Sequence, residues 1–128
     1  VLKKENRLIT KKEITGCLKT AFKISDKGLT IFLRVNKQRK LKLLVIVSKK
    51  IFKKANKRNR LKRKINAYFT NNLHIVENLH FSCIIKVNEK KVLYQKQQNL
   101  DQNLQTLLES GRLKVKKFFL KKHTKAKV

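Results

Sequence analysis

Apolar residues along the chain fall into blocks with two different periods, and the periods predict the elements. Ile14, Cys17, Leu18 and Ala21 recur at i, i+3, i+4 and i+7, one face of a helix. Thr10 and Glu13 just ahead have the spacing of a capping box, in which a hydroxyl and a carboxylate satisfy orphan backbone N–H groups. A short strand over Ala21–Ile24 and a turn at Ser25–Gly28 come next. Leu29–Val35 (LTIFLRV) and Leu41–Val47 (LKLLVIV) are β-branched runs of strand length. The polar Asn36–Lys40 between them makes the pair read as a hairpin. A second helix runs from Lys53 to Asn71, with Leu61, Ile65 and Tyr68 in one narrow apolar arc. Leu79–Val87 alternates, placing Leu79, Phe81, Cys83, Ile85 and Val87 on one side of a half-buried strand. A third helix starts at Asp101 and carries Leu104, Leu107 and Leu108, with Gly111 ending or bending it. Val115, Phe118 and Phe119 add a further helical turn or two. The order of elements gives an α+β class, an open sheet covered by helices.

Composition adds a partner to this picture. The chain has 128 residues, a length suited to one domain, and 41% hydrophobic residues to fill a core. Against 35 Lys and Arg stand only 7 Asp and Glu, a net charge of +28. A compact chain with that much self-repulsion must meet a dense polyanion, and nucleic acid is the default. No run approaches the ~20 apolar residues of a membrane span. The N-terminal stretch lacks a secretory pattern, so a cytoplasmic protein with no membrane partner is expected. A single RNA-binding domain over 1–122 and a basic, disordered tail over 123–128 complete the expected organisation.

Catalytic chemistry within the chain has little support. Cys17 and Cys83 lack metal-ligand spacing and fall on core faces, where a thiol behaves as a small hydrophobe. His74, His80 and His123 form no acid–base pattern with the seven acids. Gly16, Gly28 and Gly111 are scattered, which leaves no phosphate-cradling loop. No catalytic residue and no metal site within the protein are therefore expected.

The positive charge is concentrated. Sixteen Lys or Arg residues and no acid lie between Asp26 and Glu77, and eight more lie in the acid-free stretch from Arg112 onward. The densest part is Ser48 to Arg63 (SKKIFKKANKRNRLKR), which starts at a strand end and enters the second helix. Opposite Leu61, Ile65 and Tyr68, the residues Asn59, Lys62, Arg63 and Asn66 share an outward face. Arg58 borders it on one side, Arg60 and Lys64 on the other. Eight basic residues in Lys53–Lys64 have no acid in the segment to pair with, so an external anion is favoured over a merely solvated face. Guanidinium forks suit phosphates, and Asn59 suits a ribose, a base edge or a metal-bound water.

Arg58-Asn59-Arg60-Leu61-Lys62-Arg63, preceded by Ser48-Lys49-Lys50, resembles the signature of the bacterial ribonuclease P protein component. Lys4-Glu5-Asn6-Arg7-Leu8 is similar to that family's short motif ahead of its first helix, and the resemblance covers most of residues 2 to 110. It implies a two-layer α/β sandwich like the second domain of ribosomal protein S5, of order αβββαβα with a left-handed βαβ crossover. It implies a monomer in a 1:1 ribonucleoprotein, where the ribonuclease P RNA and its bound Mg2+ release the 5′ leader from precursor tRNA. By the same resemblance, Arg7, Lys49, Lys50, Lys53, Lys54, Lys57, Arg58, Asn59, Arg60, Lys62 and Arg63 contact RNA. The resemblance also implies that the leader lies in a cleft between sheet and first helix, with Phe32 on its floor, Ile14 and Leu18 on the opposite wall and Val47 among its residues. Ile14 and Leu18 stand where the family often has aromatic residues. The alternative of another class is a structural ribosomal protein, which needs the same charge.

Overall fold

A computed structural model describes residues 6–7, 10–36, 41–72 and 81–126, with side chains as far as Lys117. Helix α1 (Lys11–Thr20) begins where the sequence places it, because the Glu13 N–H donates to Thr10 Oγ1 at 3.3 Å. Strands β1 (Phe22–Asp26) and β2 (Leu29–Val35) form a hairpin whose two central residues, Lys27 and Gly28, have φ of 50° and 82°. Two positive φ values match the right-handed twist of the paired strands, and glycine takes the second without a Cβ penalty. Strand β3 (Lys42–Ile46), helix α2 (Ala55–Asn71) and strand β4 (Phe81–Val87) follow. A short helix α3 (Lys91–Tyr94), absent from the sequence reading, leads into the long helix α4 (Gln97–Ala126).

The sheet order is β1-β2-β4-β3, and this corrects the expected hairpin of β2 with β3. β4 inserts between them, antiparallel to β2 and parallel to β3, so β3, α2 and β4 form a crossover unit. The burial pattern explains the placement. β2 and β4 carry apolar residues on both faces and occupy the centre, whereas β1 and β3 are partly exposed and lie at the edges. For the same reason β4 is not half-buried: Ile84 on its second face is fully buried, like Cys83 and Ile85 on its first. Residues 79 and 80 lie outside the described residues.

Alternate strand residues point to opposite faces. One face carries Leu29, Ile31, Leu33, Leu43, Val45, Cys83, Ile85 and Val87. It is sealed by Leu61, Ile65, Tyr68 and Phe69 of α2 and by Leu100, Leu104, Leu107, Leu108 and Val115 of α4. Sheet and α2/α4 layer make the expected sandwich. Each fully buried Leu or Ile there contributes roughly 1.5–3 kcal/mol relative to an exposed one. Helix α1 lies on the other face, where Cys17 and Ile84 are buried against half-buried Ile14, Ala21, Phe32, Leu44 and Ile46.

Helix α4 starts before Asp101, passes through Gly111 without ending and extends to Ala126, into the stretch read as a tail. A Cβ on Gly111 would stand 2.9 Å from Leu33 Cδ2, so the glycine allows close approach of helix to strand instead of stopping the helix. Among the described residues no helix is long and apolar enough to cross a membrane.

Candidate nucleic-acid interface

Two surfaces combine charge with shape. The first is α2 and the turn that feeds it. After β3 the chain turns at Ser48, whose carbonyl accepts from the Ile51 and Phe52 N–H groups, and this presents Lys49 and Lys50 to solvent. Lys53, Lys54, Asn59, Arg60 and Arg63 are exposed, while Lys57 and Lys62 are half-buried. The basic residues of α2 have no carboxylate within ion-pair distance among the described residues; the pair between Lys91 and Glu89, at 3.0 Å, lies outside α2.

The structure divides this charge in a way the helical wheel does not. Arg58 turns back, and its Nη1 donates to the carbonyls of Phe52 and Lys53 at 2.8 Å each. It therefore holds the turn onto the helix. Lys64 Nζ donates to the carbonyls of Leu93 at 2.8 Å and Gln95 at 2.5 Å, clamping α3 to α2. Burial first and the neighbouring Arg60 second push the Lys64 ammonium below its usual pKa. The outward residues border a groove between α2 and the start of α4, lined by Asn56, Arg60, Arg63, Lys64, Ala67 and Gln97. Arg7 lies apart from α2, on a parallel bridge to Leu43 at the β3 edge. Its neighbour Asn6 is buried and donates from Nδ2 to the Leu41 carbonyl at 2.9 Å.

The second surface is the α1 face of the sheet. Registers place Lys23, Phe32, Ile84 and Leu44 in one cross-strand row. Arg34, Ser82 and Lys42 form the next row, and Thr30, Lys86 and Ile46 flank the other side. The floor is thus apolar in the middle and cationic around its edge. Lys23 Nζ stands 5.8 Å from the centre of the Phe32 ring. Helix α1 covers this floor only in part, since Leu18 remains 42% exposed and Ile14 is half-buried. A Cβ on Gly16 would stand 2.8 Å from Arg34 Nη1, so the missing side chain lets the guanidinium rest against α1. Burial raises the Cys17 thiol to about 11 against a smaller lowering by Arg34, which keeps it protonated at neutral pH.

Of the residues expected at the cleft, Ile14 and Phe32 pack around Cys17 and Ile84 on this face, and Leu18 is an exposed residue of α1. Val47 is not on this face. It is buried with Val45 and Leu61 in the main core, because pleat parity gives the α1 face to Leu44 and Ile46. Leu44, Ile46, Lys23, Arg34, Lys42 and Lys86 share this face of the sheet and are absent from the residues expected there. Alternation within each strand was the available signal, but the β2–β4–β3 order that sets them side by side is not written in any single strand. Among the described residues no cluster of three or more His, Cys, Asp or Glu could hold a metal ion.

Comparison with known proteins places this geometry. The ribonuclease P protein component of Blochmanniella pennsylvanica is 29% identical over 106 residues, 83% of this chain and 90% of that one. The ribonuclease P protein of Thermotoga maritima superposes with a TM-score of 0.71 at 22% identity, over 81% of this chain and 96% of that one. That of Staphylococcus aureus superposes with a TM-score of 0.70 at 18% identity, over 81% and 93%. These two likenesses concern the fold. The ribonuclease P family profile matches residues 2–111, and with that span of agreement the chain belongs to the ribonuclease P protein family.

Proposed function

We infer that this chain is the protein subunit of a tRNA-maturing ribonuclease P, binding the catalytic RNA through α2 and the 5′ leader of precursor tRNA on the α1 face. The observation that carries the reading is the half-open floor of Phe32, Leu44 and Ile46 over the buried Ile84, ringed by Lys23, Lys42 and Arg34 and next to α1. Such a floor fits a single strand, whose bases seek apolar or aromatic surface while its phosphates seek cations. A purely structural ribosomal role needs the charge but gives the open apolar floor no task.

In this reading the RNA subunit and its Mg2+ carry out hydrolysis of the phosphodiester. The protein contributes no catalytic residue and no tightly held metal. Its work is to raise affinity for precursor over mature tRNA and to offset phosphate repulsion so that the large RNA keeps its active fold at low Mg2+. One copy per RNA, acting in the cytoplasm, satisfies both surfaces at once.

The test mixes the purified chain with a bacterial ribonuclease P RNA and precursor tRNA at low Mg2+. Faster cleavage at the mature 5′ end than with RNA alone is the expected result. An unchanged rate would remove the proposal.

A further inference from the structure

The α1 cleft and the outward face of α2 leave one exposed aromatic unexplained. Tyr94, the last residue of α3, is 66% exposed, a poor environment for a large ring that folding alone would select. It is nevertheless held firmly. Phe52, itself 5% exposed, sets its ring 6.4 Å from the Tyr94 ring at 72°, an edge-on brace. Arg58 fixes Phe52 in turn through the Phe52 carbonyl. Lys64 grips the carbonyls on both sides of Tyr94, those of Leu93 and Gln95. Two of the basic residues of α2 thus spend their hydrogen bonds on the support of one solvent-facing ring.

Lys64, which holds the backbone on both sides of Tyr94, also belongs to a charged groove. Lys64 lines the groove with Arg60 and Arg63, and Gln97 closes it by donating from Nε2 to the Lys64 carbonyl at 2.9 Å. Lys57 Nζ lies 6.0 Å from the centre of the Phe52 ring beneath Tyr94. Asp101 of α4 accepts from Gln97 Nε2 at 2.7 Å. Arg60 and Arg63 remain with guanidinium groups directed to no carboxylate among the described residues.

We propose that Tyr94 and the α2/α4 groove form a second RNA site that takes one unpaired nucleotide, its base stacked on the Tyr94 ring and its phosphate against Arg60 and Arg63. The site rests on the RNA-binding reading above and adds a stacking contact to what would otherwise be phosphate contacts alone. A ring already fixed by Phe52 and Lys64 gives up little freedom when a base settles on it, so most of the stacking free energy remains for binding. The stacking is tolerant of sequence because every base offers a π face.

The chain contains no tryptophan, so Tyr94→Trp introduces a single reporter. The full chain is titrated with a bacterial ribonuclease P RNA and, separately, with long-chain inorganic polyphosphate, a polyanion without bases. RNA should quench the indole emission and polyphosphate should not. Tyr94→Ala should weaken RNA affinity by about 5- to 150-fold at unchanged salt slope, with Tyr94→Phe close to the parent. A thermal melt confirms that the Ala variant is folded, as expected for so exposed a side chain. Unchanged affinity of Tyr94→Ala, or unchanged emission of Tyr94→Trp on RNA binding, overturns the site while the functional reading stands. Failure of the parent chain to bind the RNA at all overturns both.

Discussion

The same four strands present two faces that have been finished to different degrees. Against α2 and α4, Leu29, Ile31, Leu33, Cys83 and Ile85 are fully buried. Against α1, only Cys17 and Ile84 reach that state, while Phe32, Leu44 and Ile46 stay half-covered and Leu18 lies 42% exposed. Helix length separates the two: α1 spans 10 residues, whereas α2 and α4 span 17 and 30. One face is sealed and supplies stability, and the other keeps apolar surface in contact with water. Adjacent residues in one strand therefore meet different surroundings, Leu33 in the sealed core and Phe32 on the half-covered α1 face.

Breaking the core side should have the largest effect. Leu33→Ala is expected to lower stability by about 2–5 kcal/mol in urea unfolding, because it removes buried methylenes where α4 approaches at Gly111. A loss below 1 kcal/mol would mean that the core relaxes into the gap and the two faces are less distinct than their burial suggests. Phe32→Ala, one residue away, should cost under ~2 kcal/mol, since the ring is half-buried. Its main effect should instead be a preferential loss of affinity for precursor over mature tRNA in the reconstituted holoenzyme. Equal losses for both tRNAs would assign Phe32 to packing alone.

Gly16→Ala sharpens the contrast further, because it should raise stability while harming the cleft. Alanine within α1 is favoured over glycine by up to about 1 kcal/mol, and the atom it meets is the far end of the flexible Arg34 side chain. Displacing that guanidinium should weaken leader binding even as the melting temperature rises. A variant that binds precursor tRNA as the parent does would show that Arg34 plays no part at the cleft.

The thiols give the smallest and most direct comparison. Burial raises Cys83 on the core face far above the ordinary range, and it raises Cys17 on the α1 face to about 11. Because the folded state favours the protonated thiol, its contribution to stability is full below pH 9 and is lost as pH rises from there toward 11 for Cys17. Alkylation of the folded protein should be slow at pH 8 and should reach Cys17 first as pH climbs. Modification of Cys83 before Cys17 would reverse the ordering of the two faces.

Local pattern made much of this legible. The α1 cap, the Leu61–Ile65–Tyr68 arc and the parity of β4 are set by neighbours within a few residues, where periodicity is a direct readout. Strand pairing is not local. Leu29–Val35 and Leu41–Val47 looked like partners because they are consecutive, yet each prefers the doubly apolar β4 more than 35 residues away. Val47 is a different case, because it shares the parity of Leu43 and Val45 and so joins them in the core. The roles of Arg58 and Lys64 were hidden for another reason. A helical wheel places a side chain on a sector, but it says nothing about backbone carbonyls arriving from Phe52 or Leu93.

The central position of β4 also governs when the protein can come into being. During synthesis β2 and β3 emerge first, but the strand that must lie between them is residues 81–87, and the helix that seals their core face begins at Gln97. Until then the nascent chain holds a β1–β2 hairpin with a free inner edge and an unpaired β3. Its dense positive charge keeps such chains apart and disfavours edge-to-edge association in that interval. The sheet can close only after β4 has emerged, so the α1 face and the α2/α4 groove are both completed by the second half of the sequence.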